Sequence, residues 1–427
     1  MKCLFLFVVS LAFATAVSAQ DDAESLRRAE AALTDIMVHD IFSPPVASRI
    51  YLYTNVAAYE VLVKGHSRDY ASLHGQVRNF PAIPDPEKKI SFPVAAVYAY
   101  LQVGKRFVFS DSAMQDSIAA ILGSLHDHSL YAASVEYGQK VATAILGWAD
   151  GDQYRETRKL PRYRISRTKG KWIPTPPAYI AAIEPYWNKI RPVTLDSADQ
   201  FRPPPAPVFS TDTGSFFYHS AFDVYQTVNR LTEEQRAIAN FWDCNPFAVT
   251  MEGHLGFATK KISPGGHWIN IVTTVSRQRH ESMMVTSAAY TITAIAIFDA
   301  FISCWDEKYR SNVIRPETYI DSYIDEGWRP ILQTPPFPEY TSGHSIVSSV
   351  SATVLSRYLG DHCVFDDDTE VEFGLPVRHF DSFSQAANEA AISRYYGGIH
   401  YRAAIETGQV SGRRLGEWVL TKIKLKK

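Results

Sequence analysis

Three stretches of the C-terminal half gather residues able to hold an oxyanion and act on it. Lys308 and Arg315-Pro316 stand in KYRSNVIRP, Ser342-Gly343-His344 in YTSGH, and Arg394 and His400 in SRYYGGIH. Guanidiniums offer forked donors to tetrahedral oxygens, and an ammonium adds a compact charge. A hydroxyl supplies a neutral donor, and a glycine N–H lets the backbone approach closely. Of two imidazoles, one can bond to the central atom while the other moves a proton.

The three stretches, in this order, resemble the superfamily of type 2 phosphatidic acid phosphatases and vanadium-dependent haloperoxidases. The family pattern is Lys, six residues, Arg-Pro; then Pro-Ser-Gly-His; then Ser-Arg, five residues, His, three residues, Asp. Lys308 to Arg315-Pro316 and Ser393-Arg394 to His400 fit without a gap. Thr341 replaces the Pro of the second piece, and Ala404 stands where Asp is expected. The likeness runs from Trp305 to Gly408. Trp305, three residues before Lys308, and Phe337, five before Ser342, are similar to the halide-side aromatics of the haloperoxidase branch. The texts TPPFPEY and GGIHYRAAIE resemble its bacterial members, iodoperoxidases included.

The resemblance implies an all-α fold of helical bundles and, as first reading, a vanadium-dependent haloperoxidase. Vanadate is then the cofactor. His400 binds its metal, while Lys308, Arg315, Ser342, Gly343 and Arg394 hold its oxygens. His344 takes a proton from hydrogen peroxide, Lys308 polarises the peroxide, and a halide, iodide or bromide, is oxidised. Trp305 and Phe337 line the substrate pocket. The alternative is a secreted acid phosphatase. His400 would attack a phosphate ester and His344 would protonate the leaving oxygen. Phosphate and vanadate share shape and charge, so one cradle fits both. Family phosphatases orient the nucleophilic His with the motif's Asp, so Ala404 weighs against this alternative unless Glu406 substitutes. A third reading, a non-catalytic secreted helical module, leaves buried cations without an anion, which is costly.

Helices are expected to carry these groups. Apolar spacing of three and four predicts a helix over 23–40, and Pro44-Pro45 starts another over 46–63. Further helices are expected near 95–109, 112–125 and 131–148. The stretch 152–214, rich in Pro and Tyr, reads as a long ordered loop wrapping the core. Helices resume at Thr232, a cap-like start, and follow over 280–309, 345–358, 383–395 and 401–423. No alternating strand pattern is apparent. Residues 20–230 read as an N-terminal helical region and 231–427 as the catalytic one. Ser342-Gly343-His344 falls at a helix start, where free N–H groups favour an anion. Gly397-Gly398 is expected to give the same close approach before His400.

The chain has 427 residues and a net charge of −2, so no broad basic surface recommends nucleic acid as a partner. Small molecules are the expected ligands. The start, MKCLFLFVVSLAFATAVSAQ, reads as a signal peptide over 1–19, giving a secreted or periplasmic chain. The apolar run 288–301 suits a core helix better than a membrane span. Cys244, Cys304 and Cys363 are expected to form no disulfide. His126-Asp127-His128 reads as a polar turn. His267 in PGGHW either lines the pocket entrance or caps a turn. Asp366-Asp367-Asp368 reads as a solvated loop, since it lacks a calcium-ligand pattern.

Overall fold

The computed structural model describes residues 22–125, 129–252, 255–258 and 260–427. The expected leader over 1–19 and the His126-Asp127-His128 turn lie outside these residues. Helix α1 runs over 22–39. Helix α2 (Pro44–Gly65) is started by Ser43, whose side chain caps Val46 N–H, and by Pro in its first turn. Helices α3 (Phe92–Lys105), α4 (Asp111–Gly123) and α5 (Tyr131–Asp150) follow, and α2, α3 and α5 pack on one another. After the short α6 (Tyr154–Thr157) come α7 (Phe216–Val228) and α8 (Glu233–Phe241). Thr232 and Gln235 form a capping box at the start of α8. Strands β1 (Val249–Glu252) and β2 (Leu255–Ala258) pair antiparallel. Then come α9 (Pro264–Gln278), α10 (Met283–Ser311), α11 (Pro316–Tyr323) and α12 (Gly343–Leu359). A second antiparallel pair, β3 (Phe365–Asp367) and β4 (Arg378–Phe380), precedes α13 (Phe383–Tyr396) and α14 (Arg402–Lys422).

The fold is helical, as expected, with two short hairpins that the sequence pattern did not reveal. Four helices were also missed among the described residues: the one-turn α6, α7, α9 and α11. Helix α9 carries INIVTTV, whose β-branched residues have weak helix propensity. It is helical because nearly all of it is buried against α2, α10 and α12. Helix α10 is long and apolar enough to cross a membrane by length and composition, but its most apolar window is 94% buried inside the protein. It is the central core helix. One apolar cluster runs from Ala23 to Leu425, so the regions on either side of residue 230 share a core.

Two features position the site. Gly408, Gly412 and Gly416 are spaced by four on α14 and face α12. A Cβ on Gly412 would lie 2.5 Å from the Ile346 carbonyl oxygen, and one on Gly408 2.8 Å from Ser345 Cβ. The stripe lets α14 press against the start of α12. The long stretch 152–214 does wrap the core, pinned by buried polar clips. Asp299 accepts hydrogen bonds from Val193 N–H (2.8 Å), Thr194 N–H (2.7 Å) and the Thr194 hydroxyl (2.6 Å). Ile183 O accepts from Trp305 Nε1 at 3.2 Å, and Ile183 N–H donates to Pro336 O at 3.1 Å. The wrap thus closes over the aromatic end of the site.

Candidate active site

The three motif pieces converge from α10, the Arg315 cap of α11, the start of α12, α13 and the turn before α14. Gly343, His344, Arg394, His400, Trp305 and Phe337 line one narrow cavity of about 30 Å³. One water needs about 10–15 Å³ on such a measure, so the cavity suits a few oxygens and no large group. Trp305 and Phe337 pack on each other in this lining, with ring centroids 4.9 Å apart. Cys244 and Phe301 share the lining.

Arg315 is fully buried. Its Nε donates to Phe337 O (2.9 Å) and its Nη1 to Ile399 O (2.8 Å), with Nη1 also 3.1 Å from His400 Nε2. Its Nη2 has no partner. Arg394 Nη1 donates to Trp242 O at 2.7 Å, while its Nε is buried and unpaired. His344 Nε2 is likewise buried without a partner. Burial, with the nearby charge of Arg394 adding to it, pushes the Arg315 pKa down to about 10 against the pull of Glu339, and burial lowers that of Arg394. An unpaired buried guanidinium N–H costs about 1–3 kcal/mol or more. Arg394 lines the cavity and Arg315 touches His400 in its lining, so both guanidiniums stand where an anion would relieve them.

The N-terminus of α12 completes the cradle. Ser342 is its N-cap and Gly343 its first residue, so the Gly343 N–H has no intrahelical acceptor. A Cβ on Gly343 would point at Trp305 Cζ3, 3.7 Å away, into space that a guest would otherwise use. The Ser342 oxygen accepts from Ser345 N–H (3.3 Å) and from the Ser345 hydroxyl (2.8 Å). Its own hydrogen is left to turn toward a ligand.

Lys308 sits differently from the expectation. Its ammonium donates to the carbonyls of Pro338 (2.9 Å), Glu339 (3.1 Å) and Thr341 (2.6 Å), and it does not line the cavity. Three such bonds use all three hydrogens and require the charged form. Burial opposes that charge and pushes its pKa down to about 7. Lys308 therefore ties down the segment that leads to Ser342, and its charge reaches the cradle from behind the aromatics. Direct polarisation of a bound peroxide would need one carbonyl bond to be exchanged.

The residue that sequence reasoning missed is Glu339. His400 Nδ1 lies 2.8 Å from Glu339 Oε1, and Tyr401 N–H donates to the same oxygen at 3.0 Å. A carboxylate acceptor there puts the proton on Nδ1 and leaves Nε2 as an acceptor, which Arg315 Nη1 meets at 3.1 Å. Burial raises the Glu339 pKa to about 7, against the pull of Arg315 and Lys308. Glu339 thus takes the place of the Asp missing at Ala404. Glu406, the substitute considered from the sequence, is exposed on α14, while Ala404 is buried in an apolar cluster. The only sequence signal was an acid three residues before Ser342, which is indistinguishable from a surface Glu. Burial holds both His400 and His344 well below the usual histidine pKa, and neighbouring cations add to this. Both imidazoles are neutral at pH 7, as a metal ligand and a proton acceptor must be.

Gly397-Gly398 does not face the cradle. Cβ atoms there would strike Leu332 at 2.6 Å and Pro330 at 2.9 Å, so these glycines serve packing against the 330–332 segment. His267 neither lines the cavity nor caps a turn. It is buried in the first turn of α9, with Nε2 2.8 Å from Asp367 Oδ2 and Nδ1 3.5 Å from Cys244 Sγ. Burial disfavours its charge, yet Asp367 and Cys244 hold its pKa well above the usual value. The acidic run is therefore not all solvated: the alternation of β3 turns Asp367 inward between exposed Asp366 and Asp368. Cys244, Cys304 and Cys363 are free thiols.

A family model of the VCPO second helical-bundle domain matches residues 288–426. The structure of the first bacterial vanadium-dependent iodoperoxidase is 48% identical, with a TM-score of 0.89, covering 95% of this chain and 97% of that one. A bacterial vanadium-dependent chloroperoxidase in its holo form is 17% identical, covers 90% of this chain and 93% of that one, and superposes with a TM-score of 0.69. Its apo form gives 18% identity, 89% and 95% coverage and a TM-score of 0.68. At such identity the chloroperoxidase likeness speaks for the fold alone. No curated protein matches the chain.

Proposed function

The chain belongs to the vanadium-dependent haloperoxidase family, and on that premise we propose that it oxidises a halide, iodide best, with hydrogen peroxide at a vanadate held by His400. The observation that carries this reading is a set of unpaired buried atoms: Arg394 Nε and His344 Nε2, whose residues line one small cavity, and Arg315 Nη2, whose guanidinium touches His400 in that lining. They suit a small tetrahedral oxyanion in the charge and the donors that they offer. Vanadate, when bound, supplies a Lewis-acidic centre that activates peroxide without a change of oxidation state.

The protein's own part follows from the contacts. Glu339 holds His400 in the tautomer that offers Nε2 to the central atom, and Arg315 beside it meets the anion's oxygens. Arg394, the Gly343 N–H and the Ser342 hydroxyl provide further donors at the helix start. Lys308 adds charge through Trp305 and Phe337, its Nζ lying 5.9 Å and 5.1 Å from their ring centroids. His344, uncharged, accepts a proton from hydrogen peroxide at Nε2. The aromatic wall excludes water from that side, where a large, weakly hydrated halide is easier to admit than chloride.

The acid phosphatase reading regains an orienting carboxylate through Glu339, so Ala404 no longer weighs against it. The aromatic pair Trp305 and Phe337 in the cavity wall still favours the peroxidase reading. The deciding experiment measures peroxide-dependent triiodide, with and without added orthovanadate, beside hydrolysis of p-nitrophenyl phosphate. Vanadate should switch on triiodide formation and suppress any hydrolysis. Rapid ester cleavage without vanadate, and no triiodide after loading, would move the assignment to phosphatase. The expected export from the cytoplasm is checked by N-terminal sequencing of the mature chain, which should begin near Gln20.

A further inference from the structure

Beside the cradle lies a second buried cluster that halide oxidation does not use. Cys244 follows α8, His267 stands in the first turn of α9, and Glu370 comes just after β3; all three are buried. We propose that Cys244 Sγ, His267 Nδ1 and Glu370 Oε1 form a binding site for a divalent transition-metal cation, zinc best.

Both spacings from the imidazole nitrogen are those of ligands around one ion. Sγ and Nδ1 are 3.5 Å apart, Nδ1 and Oε1 3.2 Å, and all three atoms lie within 4.8 Å of one another. Tetrahedral zinc with bonds of about 2.0–2.3 Å has ligand–ligand edges of about 3.3–3.7 Å. The donor set of thiolate, imidazole and one carboxylate suits zinc and not calcium or magnesium, which take oxygen shells. Three protein ligands leave the fourth position to water.

Two further observations point to a cation. Glu370 Oε1 is buried and accepts no hydrogen bond, although it lies only 3.2 Å from the imidazole nitrogen. A bound cation would take the place of the imidazolium proton that these carboxylates favour. The other imidazole nitrogen, Nε2, is 2.8 Å from Asp367 Oδ2, and Asp367 Oδ1 accepts from Thr369 N–H at 3.0 Å. A carboxylate behind a histidine, itself held by a backbone N–H, is the arrangement that aims the opposite nitrogen at a metal. The Trp242 ring stacks on the imidazole at 4.5 Å and fixes its plane.

The site would also serve the cradle. Cys244 lines the cavity, and two residues earlier Trp242 O accepts from Arg394 Nη1 at 2.7 Å. An ion tying Cys244 to α9 and to the segment after β3 would hold that carbonyl, and so Arg394, in place.

The test uses the full mature chain, stripped with a chelator, dialysed, and titrated separately with zinc and with cobalt(II), with metal content measured per chain. One zinc per chain is expected, and cobalt should show a sulfur-to-metal charge-transfer band. Cys244→Ala should lose the band and the bound zinc. Glu370→Gln should bind zinc at least about 10-fold more weakly. Cys363→Ala, a buried thiol elsewhere, should keep both. Folded wild-type protein that takes up neither metal, or a Cys244→Ala variant that binds zinc as well as wild type, overturns the assignment. Should Cys244→Ala fail to fold, the wild-type cobalt spectrum decides: bound cobalt without a sulfur band also overturns it.

Discussion

Two buried polar clusters meet at the Trp242–Cys244 segment, and their unsatisfied atoms have opposite character. Around the cavity, Arg315 Nη2 and Arg394 Nε are donors without acceptors. Around His267, Glu370 Oε1 is an acceptor without a donor, and the Cys244 sulfur stands beside it. Unpaired buried groups are expensive in either form. What differs is the guest that would relieve the cost: an anion in the first, a cation in the second. Each cluster also has a histidine backed by a carboxylate, Glu339 behind His400 and Asp367 behind His267. The backing carboxylate aims a lone pair in both cases. The surrounding charges then decide what that lone pair meets.

The comparison breaks most sharply at His400. His400→Ala should abolish saturable vanadate binding by calorimetry and reduce triiodide formation by about 1,000-fold or more, within the range for loss of an essential acid–base or ligand group. It should leave the zinc content unchanged. Loss of both guests together would mean that the clusters act as one folding unit.

His344→Ala tests the division of labour inside the cradle. It should keep much of the vanadate affinity yet lower turnover by about 100-fold or more. An equal collapse of affinity and turnover would make His344 a structural residue.

Glu339→Gln should weaken vanadate binding by about 10–100-fold, the usual cost of losing a partner behind a metal-binding histidine. Glu339→Asp should recover part of it. Glu406→Gln should do nothing. If Glu406→Gln were the damaging change, the orienting role given to Glu339 would fall.

Vanadate affinity should peak near neutral pH. Below about 7, Glu339 becomes protonated and its hold on the His400 Nδ1 proton weakens. Above about 7, Lys308 loses its proton and the cradle loses positive charge. Each limb should change affinity by up to about 10-fold per pH unit. For the empty protein the Lys308 contribution has the opposite sign. Its pKa is depressed on folding, so the unfolded chain binds more protons above about 7, and stability from this group rises with pH there. Titration calorimetry and thermal melts across that range separate the two trends.

The smallest effect concerns the scaffold. Gly412→Ala would place a Cβ 2.5 Å from the Ile346 carbonyl oxygen, prising α14 from α12. A loss of about 1–3 kcal/mol is expected in denaturant melts, with vanadate affinity falling less than in the Glu339 variant.

Much of this protein was legible in its residues. Lys308, Arg315, Ser342, Gly343, His344, Arg394 and His400 were identified from three short motifs, because those motifs bring fixed side-chain types to fixed helix ends. Trp305 and Phe337 were placed by their offsets and do line the cavity. Long helices such as α2, α10 and α14 followed from local periodicity and capping, which act within a few residues. What only the tertiary structure decided depends on atoms far apart in sequence. Helix α9 forms because its neighbours bury β-branched residues that disfavour a helix in isolation. Lys308 proved to be held by three carbonyls 30 to 33 residues away. Glu339 reaches His400 across 61 residues, and Asp367 reaches His267 across 100. A sequence shows that an acid or an imidazole is present. Which of them lose water, and which partner replaces it, is set by the packing of helices whose order along the chain says little about their contact in space.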